Sequence, residues 1–186
     1  MDFLKQEMQG KNFRISCEGF LRKPVSGCGG PTAWDWWMLS SAMYSTLSGR
    51  IAVLTYSGGA GIVSADFIEK SGLKVAELSS ETRQSLKTVF PDWMLISNPI
   101  DLWPAVEKSG GEKTYRAAIE AVCADPGVDA IFLHLFAGGF ALNFDLSLVA
   151  DRVKSSGKPV IVWLIGEQNI RHRYSGGLGE NRRYPV

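Results

Sequence analysis

The residues of this chain best placed to do chemistry are backbone-exposing glycines beside hydroxyls, not obvious nucleophiles. The run Ser57–Gly58–Gly59–Ala60–Gly61 ends one apolar segment and opens an amphipathic one. Glycines let a backbone turn sharply and approach a ligand closely. A helix that starts there offers unpaired N–H groups and a partial positive charge. Together these make an anion site, suited to a phosphate or a carboxylate. The spacing is neither Gly-x-Gly-x-x-Gly nor a Walker loop, since no Gly-Lys-Ser/Thr follows. A plain strand-to-helix turn without a ligand satisfies the same pattern. Ala137–Gly138–Gly139–Phe140 makes an equivalent break after a later apolar run. Two such turns at one sheet edge point to a shared crevice, although turn chemistry accounts for the second one too.

Other candidates are weaker. Asn98–Pro99–Ile100–Asp101 reads as a compact turn, with Asn98 held extended by the proline after it. Asp101 either accepts backbone N–H groups or faces a ligand, and both Asn98 and Asp101 are candidates to line the site. His134 lies inside the apolar run Phe132–Phe136 and reads as a core or sheet-face histidine. His172 sits between Arg171 and Arg173, whose charges disfavour its protonated form. No serine-histidine-acid set, Cys–His pair or metal-ligand spacing appears, so no catalytic or metal-binding residue is expected. Cys17, Cys28 and Cys123 are scattered without a CxxC spacing. Neither a zinc site nor a disulfide framework is expected, and a reducing cytoplasm is the expected compartment.

These residues need elements to hold them. Ile51–Tyr56 is a strand-forming run. A helix over Ala60–Ser71 should follow, with Ile62, Ala65 and Ile68 towards one face and Gly72 as its C′ residue. Leu73–Leu78 reads as the next strand. Ser79 or Ser80 can cap a helix over Glu81–Val89, with Glu81 near its positive end and Pro91 beyond it. Met94–Ser97 is brief and extended. Thr114–Ala124 is amphipathic and stops at Asp125–Pro126–Gly127. Ala130–Phe136 and Val160–Ile165 are nearly all apolar, as strands covered on both faces must be. Asp145–Ser155 lies between them as a helix. This β-turn-α rhythm predicts an α/β domain: a parallel sheet with helices on both faces, whose ligands bind at the carboxyl ends of strands. Residues 1–48 and 170–186 lack a sustained period, so the expected division is an irregular N-terminal segment 1–48, an α/β domain 49–169 and an irregular basic tail 170–186.

Bulk properties agree. A chain of 186 residues, 45% hydrophobic, suits one α/β domain with flanking material. A net charge of +1 argues against a nucleic-acid partner. No apolar run is long enough to span a membrane. The start of the chain, Met1–Gly10, lacks the apolar region of a secretory signal.

The residues also carry a family likeness. Arg50 to Asp66, reading RIAVLTYSGGAGIVSAD, resembles the start of the CoA-ligase domain of ADP-forming acyl-CoA (acetate–CoA) synthetases, in the succinyl-CoA synthetase superfamily. The likeness continues in order through Gly72–Leu73, Glu77–Leu78–Ser79, Glu81–Thr82, Leu86, Pro91, Asn98 to Leu102, Asp125 to Ala130, and Lys158–Pro159–Val160. It covers roughly residues 49–168. The resemblance implies a flavodoxin-like fold and a mechanism in which ATP phosphorylates a histidine, which passes its phosphoryl group to a carboxylate before attack by the CoA thiol. Helix N-termini from two related domains face that phosphohistidine. The residues this implies for phosphate and substrate binding are Tyr56, Ser57, Gly58, Gly59, Gly61, Gly138, Gly139 and Phe140. Tyr56 stands where the family usually has Asn. The family's histidine lies in a Ser-His-Thr-Gly or Gly-His-Ala-Gly motif, absent here. The implied role is therefore one domain of such a synthetase, inactive alone. The His-bearing, CoA-binding and ATP-grasp parts would come from partner domains or subunits. CoA, ATP and Mg are implied for the complete enzyme, with no cofactor held by this domain alone and a small carboxylate as substrate. Two rival readings are a non-catalytic flavodoxin-like module that binds an anion or nucleotide, and an inactive truncated remnant.

Overall fold

The computed structural model of the chain describes residues 13–16, 49–137, 152–153 and 155–166. In chain order the elements are β1 (Phe13–Ser16), β2 (Arg50–Thr55), α1 (Gly58–Lys70), β3 (Lys74–Val75), α2 (Ser80–Leu86), β4 (Ile100–Asp101), α3 (Trp103–Ser109), α4 (Gly111–Ala124), β5 (Ala130–Ala137) and β6 (Val160–Gly166). Residues 152–153 and 155–156 are also helical, at the end of the helix expected over Asp145–Ser155, whose remainder lies outside the described residues.

Every strand pairing is parallel, in the order β1-β6-β5-β2-β3, with β4 joined to β2. Counted from β2, the strands run second, first, third, fourth, which is the flavodoxin-like order. The position of a fifth strand, beside β6, is filled by β1. The N-terminal stretch expected to be irregular thus contributes a strand. A four-residue strand gives too short an alternation to register as a period in sequence.

The apolar runs explain the two layers. Ile51 and Val53 of β2, with Ala130 and Phe132 of β5 and Ile161 of β6, pack against Phe67 and Ile68 of α1. Ala52 and Leu54, with Ile131, Leu133 and Leu135, pack the other way, against Leu86 of α2, Val106 of α3, and Tyr115, Ile119 and Val122 of α4. Alternating residues of the same strands are therefore buried on both faces, as a doubly covered parallel sheet requires. Asp129 locks the entry to β5 onto β2, accepting both the N–H of Arg50 at 3.0 Å and its guanidinium at 2.8 and 2.9 Å.

α1 ends as the sequence predicts. Gly72 has φ of 77°, its N–H donates to Glu69, and the Leu73 N–H donates to Ile68. These two bonds form a Schellman ending, which needs the left-handed backbone that glycine adopts without strain. Other boundaries differ. The strand expected over Leu73–Leu78 shrinks to Lys74–Val75, and the expected helix Glu81–Val89 ends at Leu86. Met94–Ser97 forms no strand, whereas Ile100–Asp101, expected as loop, is β4. α3 was not expected at all. Its start carries a signal, Pro104 in the first turn, but with only Ala105 and Val106 buried it is too short to show a period.

One side chain explains how two strands of two residues can flank β2. Asn98, which follows β3 and precedes β4 and is joined to Pro99 by a cis peptide bond, accepts the Val53 N–H at 2.8 Å. It donates to the carbonyls of Ile51 at 2.8 Å and Ala76 at 2.9 Å. β3 pairs with Arg50 and Ile51, and β4 with Leu54 and Thr55. The Asn98 amide fills the gap between them, so the edge of β2 is satisfied along its length. Among the described residues no helix is long and apolar enough to cross a membrane.

Candidate functional site

The site is built on the carboxyl end of β2. This is the point where the sheet order reverses, with β3 and β4 on one side of β2 and β5 on the other. Parallel sheets open a crevice at such a switch point. Thr55 ends β2, Ser57 is the N-cap of α1, and the helix begins at Gly58.

Among the described residues, no side chain caps the α1 N-terminus. The Ser57 side chain makes no capping bond, and the first turn holds no acidic residue. The first intrahelical bond of the turn runs from the Gly61 N–H to the Ser57 carbonyl, 3.0 Å. The N–H groups of Gly58, Gly59 and Ala60 precede it and point along the axis with the positive end of the helix dipole.

Each glycine has its own reason. A Cβ on Gly61 would lie 2.9 Å from Pro99 Cβ and 2.9 Å from Thr55 Cγ2, closer than real side chains come. Gly61 is therefore where α1 presses on β2 and on the Asn98–Asp101 segment. A Cβ on Gly58 would sit 3.0 Å from Asp101 Oδ2. On Gly59 it would meet nothing nearer, among the described residues, than the Ser57 hydroxyl at 3.9 Å. Gly61 is required by packing, whereas Gly59 faces open space.

Asp101 does two things. Its Oδ1 accepts the Trp103 N–H at 3.1 Å and so starts α3, while Oδ2 lies against the first residue of α1. A carboxylate there complements the helix dipole. Asn98 behaves differently, since both of its N–H bonds and one oxygen lone pair go to backbone groups of the sheet.

Tyr56 forms a wall. Its ring centroid is 5.4 Å from that of Phe136 near the end of β5, and 6.5 Å from that of His134. Partial burial raises the Tyr56 hydroxyl above the ordinary tyrosine range, so it is protonated at neutral pH. Gly138, Gly139 and Phe140, which follow β5 in sequence, lie outside the described residues, as does His172.

His134 is buried, as expected, but it is not merely packed. Edge-to-face contacts with Phe132 and Trp163 hold its ring, with centroids 4.7 and 4.9 Å away. Nδ1 meets the Thr55 hydroxyl at 3.1 Å, and Nε2 meets the Ser64 hydroxyl at 3.1 Å. Burial pushes its pKa down to about 3, so the ring is uncharged. Sequence reasoning placed His134 in the core and missed Thr55 and Ser64. The available signal was a lone polar side chain in an apolar strand, which must find partners when buried.

Among the described residues no group of three His, Cys, Asp or Glu could hold a metal ion. What the arrangement can do is attract and orient an anion with backbone N–H groups at a helix end, beside one carboxylate and an aromatic wall.

Comparison with known proteins shows the family. Residues 51–175 match the model of the Ligase-CoA domain family. The chain is 34% identical over 132 residues to an ADP-forming acetate–CoA ligase II of Archaeoglobus fulgidus, covering 71% of this chain and 20% of that protein. It is 32% identical over 117 residues to the α subunit of the corresponding Pyrococcus furiosus ligase, covering 60% of this chain and 25% of the subunit. Among solved structures, it resembles in fold the dinucleotide-forming acetyl-coenzyme A synthetase 1 of Ca. Korarchaeum cryptofilum, in complex with phosphate and ADP. The TM-score is 0.60 at 24% identity, over 78% of this chain and 32% of that one. The chain spans a fifth to a third of the length of these relatives. With the family model covering most of its length, the chain belongs to the Ligase-CoA domain family, and it matches part of the ADP-forming acetate–CoA ligases just named.

Proposed function

We propose that this chain supplies one half of a phosphohistidine and acyl-phosphate site, completed by a partner domain that carries the histidine. The observation that carries the reading is the bare, glycine-rich start of α1 at the sheet's switch point, in a chain that belongs to the Ligase-CoA family. The N–H groups of Gly58, Gly59 and Ala60 would face the phosphoryl group. Charge held by fixed backbone dipoles needs little reorganisation during transfer, which is how such donors lower a barrier. No counter-cation from this chain is needed for that role. Tyr56 and Phe136 would exclude water on one side, and the Gly138–Phe140 loop would close round a small carboxylate substrate.

Asp101 sets a limit on the site. Its negative charge beside Gly58 disfavours a free anion and favours a phosphoryl donor that arrives held by another domain. The complete synthetase would use ATP, Mg and CoA, and a solved relative that shares this fold is described in complex with phosphate and ADP. The His-bearing, CoA-binding and ATP-grasp parts would come from other domains or subunits, in keeping with the partial coverage of the relatives.

Reconstitution tests this. The purified chain is mixed with a histidine-bearing partner half of a related synthetase, a carboxylate, CoA and labelled ATP, and phosphohistidine and acyl-CoA are followed. The informative variant is Gly59→Pro. Proline deletes one N–H donor, and the helix accepts it at this position, as α3 does with Trp103–Pro104. Turnover that requires the chain and drops about a hundredfold with Gly59→Pro is the expected result. Association without turnover would point to a binding module, and absence of association would sink the half-site.

A further inference from the structure

His134 is a core residue by burial, yet each polar contact found for its ring leads to the turn that carries the candidate site. Nδ1 meets Thr55 Oγ1 and Nε2 meets Ser64 Oγ. Each hydroxyl in turn donates to a carbonyl of that turn, Thr55 to Ser57 at 2.8 Å and Ser64 to Ala60 at 2.8 Å. Thr55 Oγ1 also accepts the Ser57 N–H at 3.1 Å. The imidazole therefore bridges two hydroxyls that grip the Ser57–Gly61 backbone from both sides.

The proton count makes the bridge specific. A carbonyl only accepts, so the bonds to Ser57 and Ala60 claim both hydroxyl protons. The ring is then asked to donate at both nitrogens, but an uncharged imidazole has one N–H. One hydroxyl receives that N–H, and the other divides its own proton between a carbonyl and the bare ring nitrogen. An apolar residue, the type that surrounds position 134 from Phe132 to Phe136, would fill the space and grip neither hydroxyl.

Resting on the reading of α1 as the anion-stabilising helix, we infer that His134 is the positioning residue of the site, holding the Ser57–Gly61 amides in place through Thr55 and Ser64. It touches no substrate. It acts by fixing donors that must already point at the charge before transfer, because preorganised dipoles are the ones that stabilise it.

The test uses the full chain labelled with ¹⁵N, in wild-type form and as His134→Leu and His134→Gln. Glutamine keeps one donor and one acceptor, whereas leucine keeps neither. Amide exchange is read at Ser57 and Gly61, whose N–H groups are bonded within the turn, and at Val122 in α4 as a remote control. The expected result is about tenfold faster exchange at Ser57 and Gly61 in His134→Leu, little change at Val122, and recovery in His134→Gln. The variants are then reconstituted with the histidine-bearing partner half, and phosphohistidine formation with the leucine variant should be about tenfold slower. If His134→Leu does not fold, Ser64→Ala compared with His134→Gln makes the same test. Equal exchange at Ser57 and Gly61 in all variants, with equal phosphohistidine formation, overturns the inference and leaves the half-site standing. Exchange that depends on His134 in a chain that supports no phosphohistidine formation leaves the clamp standing and removes the half-site.

Discussion

α1 and α2 both follow strands of the same sheet, yet their first turns are built on opposite plans. At α2, Ser79 accepts the Thr82 N–H at 3.1 Å and Glu81 lies in the first turn. Asp125 accepts the Ser79 N–H at 2.9 Å and the Gly127 N–H at 2.7 Å. At α1 the cap residue is also a serine, but its side chain caps nothing, and glycines occupy the places where α2 has Ser80 and Glu81. The same residue type at the same position thus serves two ends. α2 spends its free N–H groups on its own side chains, which stabilises a helix end by about 1 kcal/mol. Among the described residues, α1 leaves them without a capping side chain and is steadied from below by a buried histidine. A helix end without its own cap but braced by the core is what the proposed half-site requires.

Acid should separate the two ends most strongly. His134 has a folded pKa pushed down to about 3, against an ordinary value near 6.5 in the unfolded chain. Between those values the unfolded chain binds the extra proton, so stability rises with pH and is lost as pH falls. The slope approaches about 1.4 kcal/mol per pH unit. The nearby titratable groups Tyr56 and Tyr115 are both raised by burial and stay protonated throughout that range. At α2, burial of Asp125 opposes its charge, but hydrogen bonds from Ser79, Thr82 and Gly127 outweigh this and hold its pKa below the usual carboxylate value. Its contribution is present above the ordinary carboxylate pKa and is lost only as pH falls below it. Amide exchange during acid titration should therefore show the α1 turn loosening before the α2 turn, and His134→Gln should remove that early phase. Simultaneous loosening would break the comparison.

Packing gives the next largest effect. Gly61→Ala places a methyl group 2.9 Å from Pro99 and Thr55, so denaturant unfolding should show a loss of about 2 kcal/mol. Gly59→Ala, facing open space, should change stability little. A reversed order would mean that α1 does not sit on β2 as described.

Ser79→Ala removes a working cap and should cost about 1 kcal/mol. Ser57→Ala should cost less, because its side chain caps nothing. Equal losses would show that Ser57 caps α1 in solution. The smallest change makes α1 resemble α2: Ser57→Asp should stabilise the chain by about 0.5 kcal/mol through the helix dipole. It should also weaken phosphohistidine formation in the reconstituted enzyme, since the new carboxylate competes for the same N–H groups. A gain in both would refute the division between self-capping and ligand-directed ends.

The sequence by itself determined the parallel layered fold, the glycine turn at the head of α1, the Gly72 ending and the family, because all of these are written in local periodicity, in backbone preference and in an ordered set of short motifs. It offered Ser57–Gly61 as the candidate site from a strand ending in glycines before an amphipathic run, a pattern that a plain strand-to-helix turn satisfies too. Only the tertiary structure decided which residues brace that turn. Asn98 splices two short strands along β2, Asp101 comes to lie against Gly58, and His134 reaches Thr55 and Ser64 across residue separations of 79 and 70. No periodicity encodes such pairings. They follow from burial, which obliges a polar group to find its partner wherever the fold brings one within reach.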